Sequence, residues 1–498
     1  MKTRRQFLKT SAQAGAAIAL WPAGCANQPG AASDRLVNDM HSQLNPTRVR
    51  RIERPQSLAA LQAVVKRAAN EGVSISIAGG RHAMGGQQFG TDAVLTDTTA
   101  MKRVLSFDAD RGLIEVEAGM EWPELIRWLV ETQRGGMRQW GIIQKQTGAD
   151  RLSIGGALSA NVHGRGLRLR PFVADVESFV LVDANGRLRE CNRRENAELF
   201  RLAIGGYGLF GVIASVKLRL APRRKVQRIV KVIEVEELLP SFEQRIAEGF
   251  LFGDFQYAID NPSDGFLRKG VFSCYRPVDD NAPVPEGQKE LSGDDWRRLL
   301  HLAHTDKARV YDAYADYYLS TSGQTYWSDT HQLSVYIDNY HQWLDARLGA
   351  TARATEMITE IYVPRPALTS FLDEVRREFR QNNTDIIYGT IRLIERDDES
   401  FLAWARQPYA CIIFNLHVMH TPQGIDHASQ QFRFLIDRAI AHRGSYYLTY
   451  HRFATRPQVL ACYPQFTEFL RLKQQFDPAG RFQSDWYRHY RQMFAGKE

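Results

Sequence analysis

Hydrophobic and polar positions alternate with period two over Val73-Ser74-Ile75-Ser76-Ile77, the pattern of a strand with one buried face. Residues 49–53 form a shorter strand candidate ahead of it. Between the two, after Pro55, Leu58, Leu61, Val64 and Val65 recur at helical spacing until Glu71-Gly72 stops the helix. Val94-Leu95 adds a short strand. Residues 103–107 and 113–118 read as a hairpin around the turn residues 108–112. A helix follows over 122–133 with Pro123 in its first turn, where proline is tolerated. Further on come a strand over 176–182, the turn Asp183-Ala184-Asn185-Gly186 and a returning strand over 187–191. A helix over 198–204 and a strand running to Leu220 close the unit. Strands that alternate with helices exclude an all-β fold and predict an α+β or α/β chain.

The strand over 73–77 runs straight into Gly79-Gly80-Arg81-His82-Ala83-Met84-Gly85-Gly86. Glycine there lets main chain come close to a ligand, and successive N–H groups on such a turn converge on anions, diphosphate above all. A second stretch, Ser153-Ile154-Gly155-Gly156 to Asn161-Val162-His163-Gly164, and a third, Gly205-Gly206-Tyr207-Gly208 to Gly211, have the same character. Three such clusters in one segment predict bare backbone lining an extended, polyanionic cofactor. The segment has no GxGxxG after a first strand with an acidic residue ~20 positions on, and no GK[ST], so neither a Rossmann fingerprint nor a P-loop explains it.

Length and charge narrow the picture. At 498 residues the chain has room for two or three domains. Its net charge is +8, of which residues 1–25 carry +4 through Lys2, Arg4, Arg5 and Lys9, leaving +4 on the remainder. The basic residues are scattered, so a nucleic-acid partner is not expected. Residues 1–25 read as an export signal: the twin-arginine run Arg4-Arg5-Gln6-Phe7-Leu8-Lys9, a mildly apolar segment too short to span a membrane, and Ala23-Gly24-Cys25. The expected location is the periplasm or the outer face of the cell membrane, reached through the twin-arginine machinery. Cys25 either carries a lipid tether or lies near a plain cleavage site, Pro22 standing where a lipobox has leucine. Residues 26–45 read as a flexible tether by composition. The five cysteines include no CxxC pair, and buried thiols are expected; no metal site is expected.

The run Ala78-Gly79-Gly80-Arg81-His82-Ala83-Met84-Gly85-Gly86-Gln87-Gln88 resembles the first FAD loop of the vanillyl-alcohol-oxidase type (PCMH-type) flavoproteins. Residues 153–166, the turn at 183–186 and Gly205–Ile213 resemble that family's second half in order and spacing. The resemblance covers residues 48–222 and is nearest in pattern to sugar-lactone and alditol oxidoreductases. It implies a PCMH-type two-subdomain FAD-binding domain over 46–222, an α+β substrate or cap domain over 223–445, and a C-terminal segment over 446–498 that returns to the flavin. The tail residues 446–451, Tyr463-Pro464 and Asp477–Phe482 resemble the family's returning segment.

The resemblance also implies a site. Gly79, Gly80, Arg81, His82, Ala83, Met84 and Gln87 would hold FAD from one side. Ala118, Gly148, Ser153, Gly155, Gly156, Ser159, Asn161, His163 and Gly164 would hold it from the other, with Gly211, Val212 or Ile213 at the nucleotide end. His82 matches the histidine that bonds the flavin 8α carbon in many relatives, so FAD is either covalent through His82 or simply bound there; neutral imidazole is the required nucleophile. A hydride leaving an alcohol C–H for flavin N5 requires an acceptor for the hydroxyl proton, and His451, Tyr450 and His417 are the candidates, with Arg392 polarising oxygen or holding substrate. The family's Glu-x-Arg is represented here by Thr390-Ile391-Arg392, with threonine in place of the carboxylate. Ala118 stands where a small residue governs oxygen access, which leans towards a quinone or cytochrome acceptor over O2.

The expected function is thus an exported FAD-dependent oxidoreductase acting on an alcohol, polyol or sugar- or lactone-like small molecule. The alternatives are a non-catalytic or electron-carrying surface flavoprotein and a UDP-sugar reductase-like enzyme. Export argues against the reductase, because reduced nicotinamide is cytoplasmic.

Overall fold

The computed structural model describes residues 35–334, 337 and 339–496. The twin-arginine run, the apolar segment, Cys25 and the start of the expected tether lie outside the described residues. Among the described residues no helix is long and apolar enough to cross a membrane. Cys191, Cys274, Cys411 and Cys462 are free, buried thiols.

Three sheets position the site. The first is parallel and three-stranded, in the order Arg51–Glu53, Val94–Asp97, Ile75–Ala78. The helix Leu58–Asn70 makes the crossover. Ser57 caps its N-terminus by accepting from the Ala60 N–H, and Leu61, Val64, Val65 and Ala68 form its buried face. The second sheet is antiparallel and five-stranded, in the order Leu188–Asn192, Val176–Val182, Val212–Arg219, Leu113–Glu117, Val104–Asp108. The period-two and helical patterns foretold these elements to within a few residues at each end. The stretch Ile154–Ala160 is a short helix where the sequence suggested only a glycine-rich loop; Ser153 caps it, accepting from the Gly156 N–H.

The third sheet is antiparallel and eight-stranded. Its order is Thr325–Trp327, Lys225–Glu234, Lys269–Pro277, Phe252–Tyr257, Ile386–Ile394, Tyr409–Met419, Ala354–Pro364, Ser445–Tyr446. The helices Leu368–Gln381 and Pro422–Ala441 bury apolar faces that include Phe371, Leu372, Val375 and Phe432, Leu435, Ile436. The helices Gly293–Thr305 and Lys307–Ser320 hold residues that reach the central cavity.

The tail is stitched to the first sheet. The Ile75 N–H donates to the Arg481 carbonyl at 2.7 Å, and the Gln483 N–H donates to the Ile75 carbonyl at 2.8 Å. Gln87 Nε2 donates to the Leu448 carbonyl at 2.7 Å, tying the first glycine loop to the same tail.

Residues 36–45 depart from the expected tether. Leu36–Val37 pairs with Thr47–Arg48, and Asp39 accepts hydrogen bonds from Ser42 Oγ and Asn45 Nδ2 at 2.9 and 3.0 Å. The polar composition that suggested a flexible chain instead folds a loop on its own side chains. That loop delivers His41 to the site.

Candidate active site

One cavity of about 520 Å³ lies between the glycine loops, the face of the eight-stranded sheet and the two helices beside it. Its volume is that of a typical small-molecule site. The two glycine stretches meet there, backbone against backbone. A Cβ at Gly80 would fall 2.1 Å from the Arg151 carbonyl oxygen, and one at Gly79 would fall 2.0 Å from Ser153 Oγ. Only glycine permits that approach.

Most of the residues singled out in the sequence line this cavity: Gly79, Gly80, Arg81, His82, Ala83, Met84, Gln87, Ala118, Gly148, Ser153, Gly155, Gly156, Ser159, His163, Gly211, Ile213, Arg392 and Tyr450. Five do not. Val212 is fully buried against Leu61, Val64 and Val182, because alternation along its strand sends its neighbour Ile213 to the cavity instead. Asn161 is spent inside the fold: its Nδ2 donates to Asp397 at 2.9 Å and its Oδ1 accepts from the Val173 N–H at 2.9 Å. The Gly164 N–H donates to Gln144 Oε1 at 3.1 Å, off the cavity wall.

His451 was the first candidate for a base, and its surroundings do not suit it to that role. It is fully buried, stacks on Phe432 at 4.5 Å and meets Thr359 Oγ1 at 3.1 Å. Burial, with the Arg433 charge nearby, pushes its pKa down to about 3. His417 also lies off the cavity and sits beside Glu356 at 3.4 Å.

The group that sequence reasoning missed is Glu360, in the strand Ala354–Pro364. It faces the cavity and is 4 % exposed. Tyr450 Oη donates to its Oε1 at 2.7 Å, Tyr362 Oη donates to its Oε2 at 2.9 Å, and His163 Nε2 lies 2.8 Å from Oε2. Burial works against its charge, but His163, Arg392 and Tyr450 outweigh burial and hold its pKa down to about 2. The Tyr450 hydroxyl moves the other way, raised by burial and then by Glu360, so it stays a donor. Glu360 pairs across the sheet with Ile413, and Ile413 pairs with Thr390. The carboxylate absent from position 390 therefore stands in the same row, two strands away. A sequence signal existed: Glu356 and Glu360 recur at even spacing in a strand that also carries Met357, Ile358, Ile361 and Val363.

Several cavity-lining polar atoms are buried without a hydrogen-bond partner. On the sheet these are Arg392 Nε, Gln256 Oε1 and Asn415 Oδ1; on the glycine side, Gln88 Oε1 and Thr147 Oγ1. Orphaned atoms of this kind are costly unless a ligand satisfies them. His82 also lines the wall, its Nδ1 at 2.7 Å from His41 Nε2. Burial and the neighbouring His41 lower its pKa well below the ordinary histidine value, so its ring is neutral. Arg81 beside it has φ of 60° and is pinned by Asp97 at 3.3 Å. A bare backbone wall, a neutral histidine and unsatisfied donors and acceptors fit a dinucleotide with a polar substrate beyond it.

The comparisons agree with that fit. A family model described as an FAD binding domain matches residues 49–192. An L-gulono-1,4-lactone dehydrogenase of Mycobacterium tuberculosis is 25% identical over 442 residues, 88% of this chain and 95% of its own length. An L-gulonolactone oxidase of Bos taurus is 25% identical over 40% of this chain and 43% of its own length. The mitochondrial L-galactono-1,4-lactone dehydrogenase of Arabidopsis thaliana is 26% identical over 41% of this chain and 33% of its own length. With its glycine-walled cavity, an FAD-binding domain of the PCMH type over residues 49–192 and these relatives, the chain is an FAD-dependent oxidoreductase similar to sugar-lactone dehydrogenases and oxidases.

Proposed function

We propose that this flavoenzyme oxidises an alcohol carbon of a polyhydroxylated substrate, a polyol or a sugar- or lactone-like molecule. The observation that carries this reading is the Glu360–Arg392 arrangement: an ionised acceptor and a partnerless donor on one wall of the cavity. FAD, when bound, supplies a two-electron acceptor for a hydride. Main chain around Gly79–Ala83 and Ser153–Gly156 would hold its diphosphate, and Ile213 its nucleotide end.

Glu360 accepts the hydrogen bond of the substrate hydroxyl and then its proton, while Arg392 Nε donates to the same oxygen and polarises it. Tyr450 and Tyr362 fix the carboxylate so that the acceptor needs no reorganisation. Gln256 Oε1 and Asn415 Oδ1 would each accept from a further hydroxyl, which a simple alcohol lacks. The names of the lactone dehydrogenase and oxidase relatives point to the same substrate class.

The finer reading follows from the sequence. Residues 46–222 would form the two-part cofactor domain around the first two sheets, 223–445 the cap, and 446–498 the returning tail. His82, neutral and on the wall, would form the covalent bond to the flavin. Export by the twin-arginine route, an acceptor of quinone or cytochrome type suggested by Ala118, and a tether at Cys25 complete the proposal.

The test is anaerobic. Aldonolactones, polyols and simple aliphatic alcohols are mixed with the oxidised protein, and the flavin band is followed. Bleaching by members of the first two groups and not by the third is expected. No bleaching across the whole panel would overturn the proposal, and bleaching by NADPH alone would favour the reductase.

A further inference from the structure

Outside the cavity lining, three histidines converge on one buried carboxylate. Glu356 and His417 are direct cross-strand neighbours on the strands Ala354–Pro364 and Tyr409–Met419. His304 comes from the helix Gly293–Thr305 and His341 from the helix Tyr340–Leu348. His304 Nε2 lies 3.1 Å and His417 Nδ1 3.4 Å from Glu356 Oε1, and His341 Nδ1 lies 3.0 Å from Oε2. The side chains of His304, His341 and Glu356 are 3 to 4 % exposed.

The proton inventory is the informative part. His304 Nδ1 is 2.9 Å from the Leu300 carbonyl, which can only accept, so Nδ1 carries the hydrogen. In the neutral ring Nε2 is then a bare lone pair, and it faces a carboxylate oxygen that is also only an acceptor. Two lone pairs at 3.1 Å repel unless a cation lies between them. A single proton would settle that one contact. His341 Nδ1 faces the other oxygen, Oε2, at 3.0 Å.

A metal ion settles the same contact and takes up His417 Nδ1, which stands on the same oxygen. With bonds of about 2.0 to 2.1 Å, tetrahedral ligand atoms stand about 3.3 Å apart, and the His304 and His417 nitrogens, 3.1 and 3.4 Å from Oε1, bracket that edge. The His304, Glu356 and His417 ligand atoms all lie within 4.8 Å of one another. The bond from His304 Nδ1 to a main-chain carbonyl is the outer contact that ordinarily fixes the tautomer of a ligating histidine.

We propose that His304, His417 and Glu356 bind one divalent transition-metal ion, Zn²⁺ by preference. Two imidazoles and one carboxylate suit Zn²⁺ among the common divalent ions, with a fourth, solvent-derived ligand completing the tetrahedron at this buried place. The ion clamps the helix Gly293–Thr305 to the sheet. The helix Gly293–Thr305 lines the substrate side of the cavity through Trp296, Leu299, Leu300 and Ala303, and Tyr340, which donates to Glu356 Oε2, lines it as well. The metal would therefore set the shape of the substrate wall without touching substrate.

The experiment uses untagged holoenzyme. Elemental analysis should find about one zinc per chain. Chelation followed by Zn²⁺ alone should restore that content and raise the thermal midpoint by several degrees. His304→Ala and Glu356→Gln, checked for fold by their flavin absorbance, should fall below about 0.2 zinc per chain and lose the thermal response. X-ray absorption at the zinc edge of the unmodified protein should show only nitrogen and oxygen neighbours near 2.0 Å, with the outer-shell pattern of imidazole. Zinc content below about 0.1 per chain in excess Zn²⁺ would overturn the proposal. So would equal zinc in His304→Ala, or a zinc spectrum without imidazole scattering.

Discussion

Glu360 keeps its charge in a buried position because three neighbours point hydrogens or positive charge at it, and removing it leaves Tyr450, Tyr362 and His163 aimed at nothing. Thr390 is the contrasting residue. It is fully buried, its Oγ1 has no hydrogen-bond partner, and it does not line the cavity, although it occupies the place of the family carboxylate. Thr390→Ala should therefore change kcat by less than about threefold, measured at saturating substrate. A loss comparable with that of a Glu360 variant would return the carboxylate function to that strand. His82 carries a separate expectation. In acid-precipitated wild-type protein the yellow colour should stay in the pellet, and in His82→Ala it should move wholly to the supernatant. Colour released from both proteins alike would exclude the covalent bond.

The helix Leu58–Asn70 shows how distant chain completes an element. Its last carbonyls have no partners within the helix, as at any helix end. Arg481, from the tail, donates to the Ala68 carbonyl at 2.8 Å and also reaches the Val73 carbonyl. A cation there also complements the helix dipole. Arg481→Ala should cost about 2 kcal/mol, seen as a lowered first thermal transition with the flavin spectrum unchanged. An unaltered transition would show that the tail is held by its backbone pairing alone.

Legibility also varies by element. The strand over 73–77, the helix after Pro55, the hairpin and the glycine loops were readable because each is written in consecutive residues. Ser153 and Gly155-Gly156 are legible as cofactor-facing backbone, but the helix they open is masked by its glycines, poor helix formers that packing and the Ser153 cap override. The Glu360–Arg392 site was not legible. It depends on which strands are neighbours and in what register, and a slip of one residue would turn Glu360 away from the cavity. His451 looked better placed than it is because adjacency to Tyr450 says nothing about which way each side chain turns.

At the scale of the whole molecule, buried titratable groups tie stability to pH. His451 has its folded pKa depressed to about 3, and His82 also lies well below its ordinary value. The unfolded chain takes up protons at these histidines from about pH 6.5 downward, whereas the folded chain does not. Stability therefore falls with pH from there, and His451 alone accounts for about 2 kcal/mol by pH 5. Glu360, depressed to about 2, adds a second loss beginning near its ordinary carboxylate range and continuing as pH drops towards its folded value. Thermal midpoints measured between pH 8 and pH 4.5 should be level at the upper end and decline below about pH 6.5. A midpoint constant from pH 7 to pH 5 would mean that these histidines are hydrated in solution.

The measurement that bears most directly on the account is the anaerobic half-reaction of the wild-type protein and Glu360→Gln, followed by rapid mixing with a substrate that bleaches the wild type. With flavin content equal in both, the account predicts that flavin reduction at saturating substrate slows by a factor of about 10² to 10⁴ in the variant. Reduction within threefold of the wild-type rate would contradict it, and would place the proton acceptor elsewhere on the cavity wall.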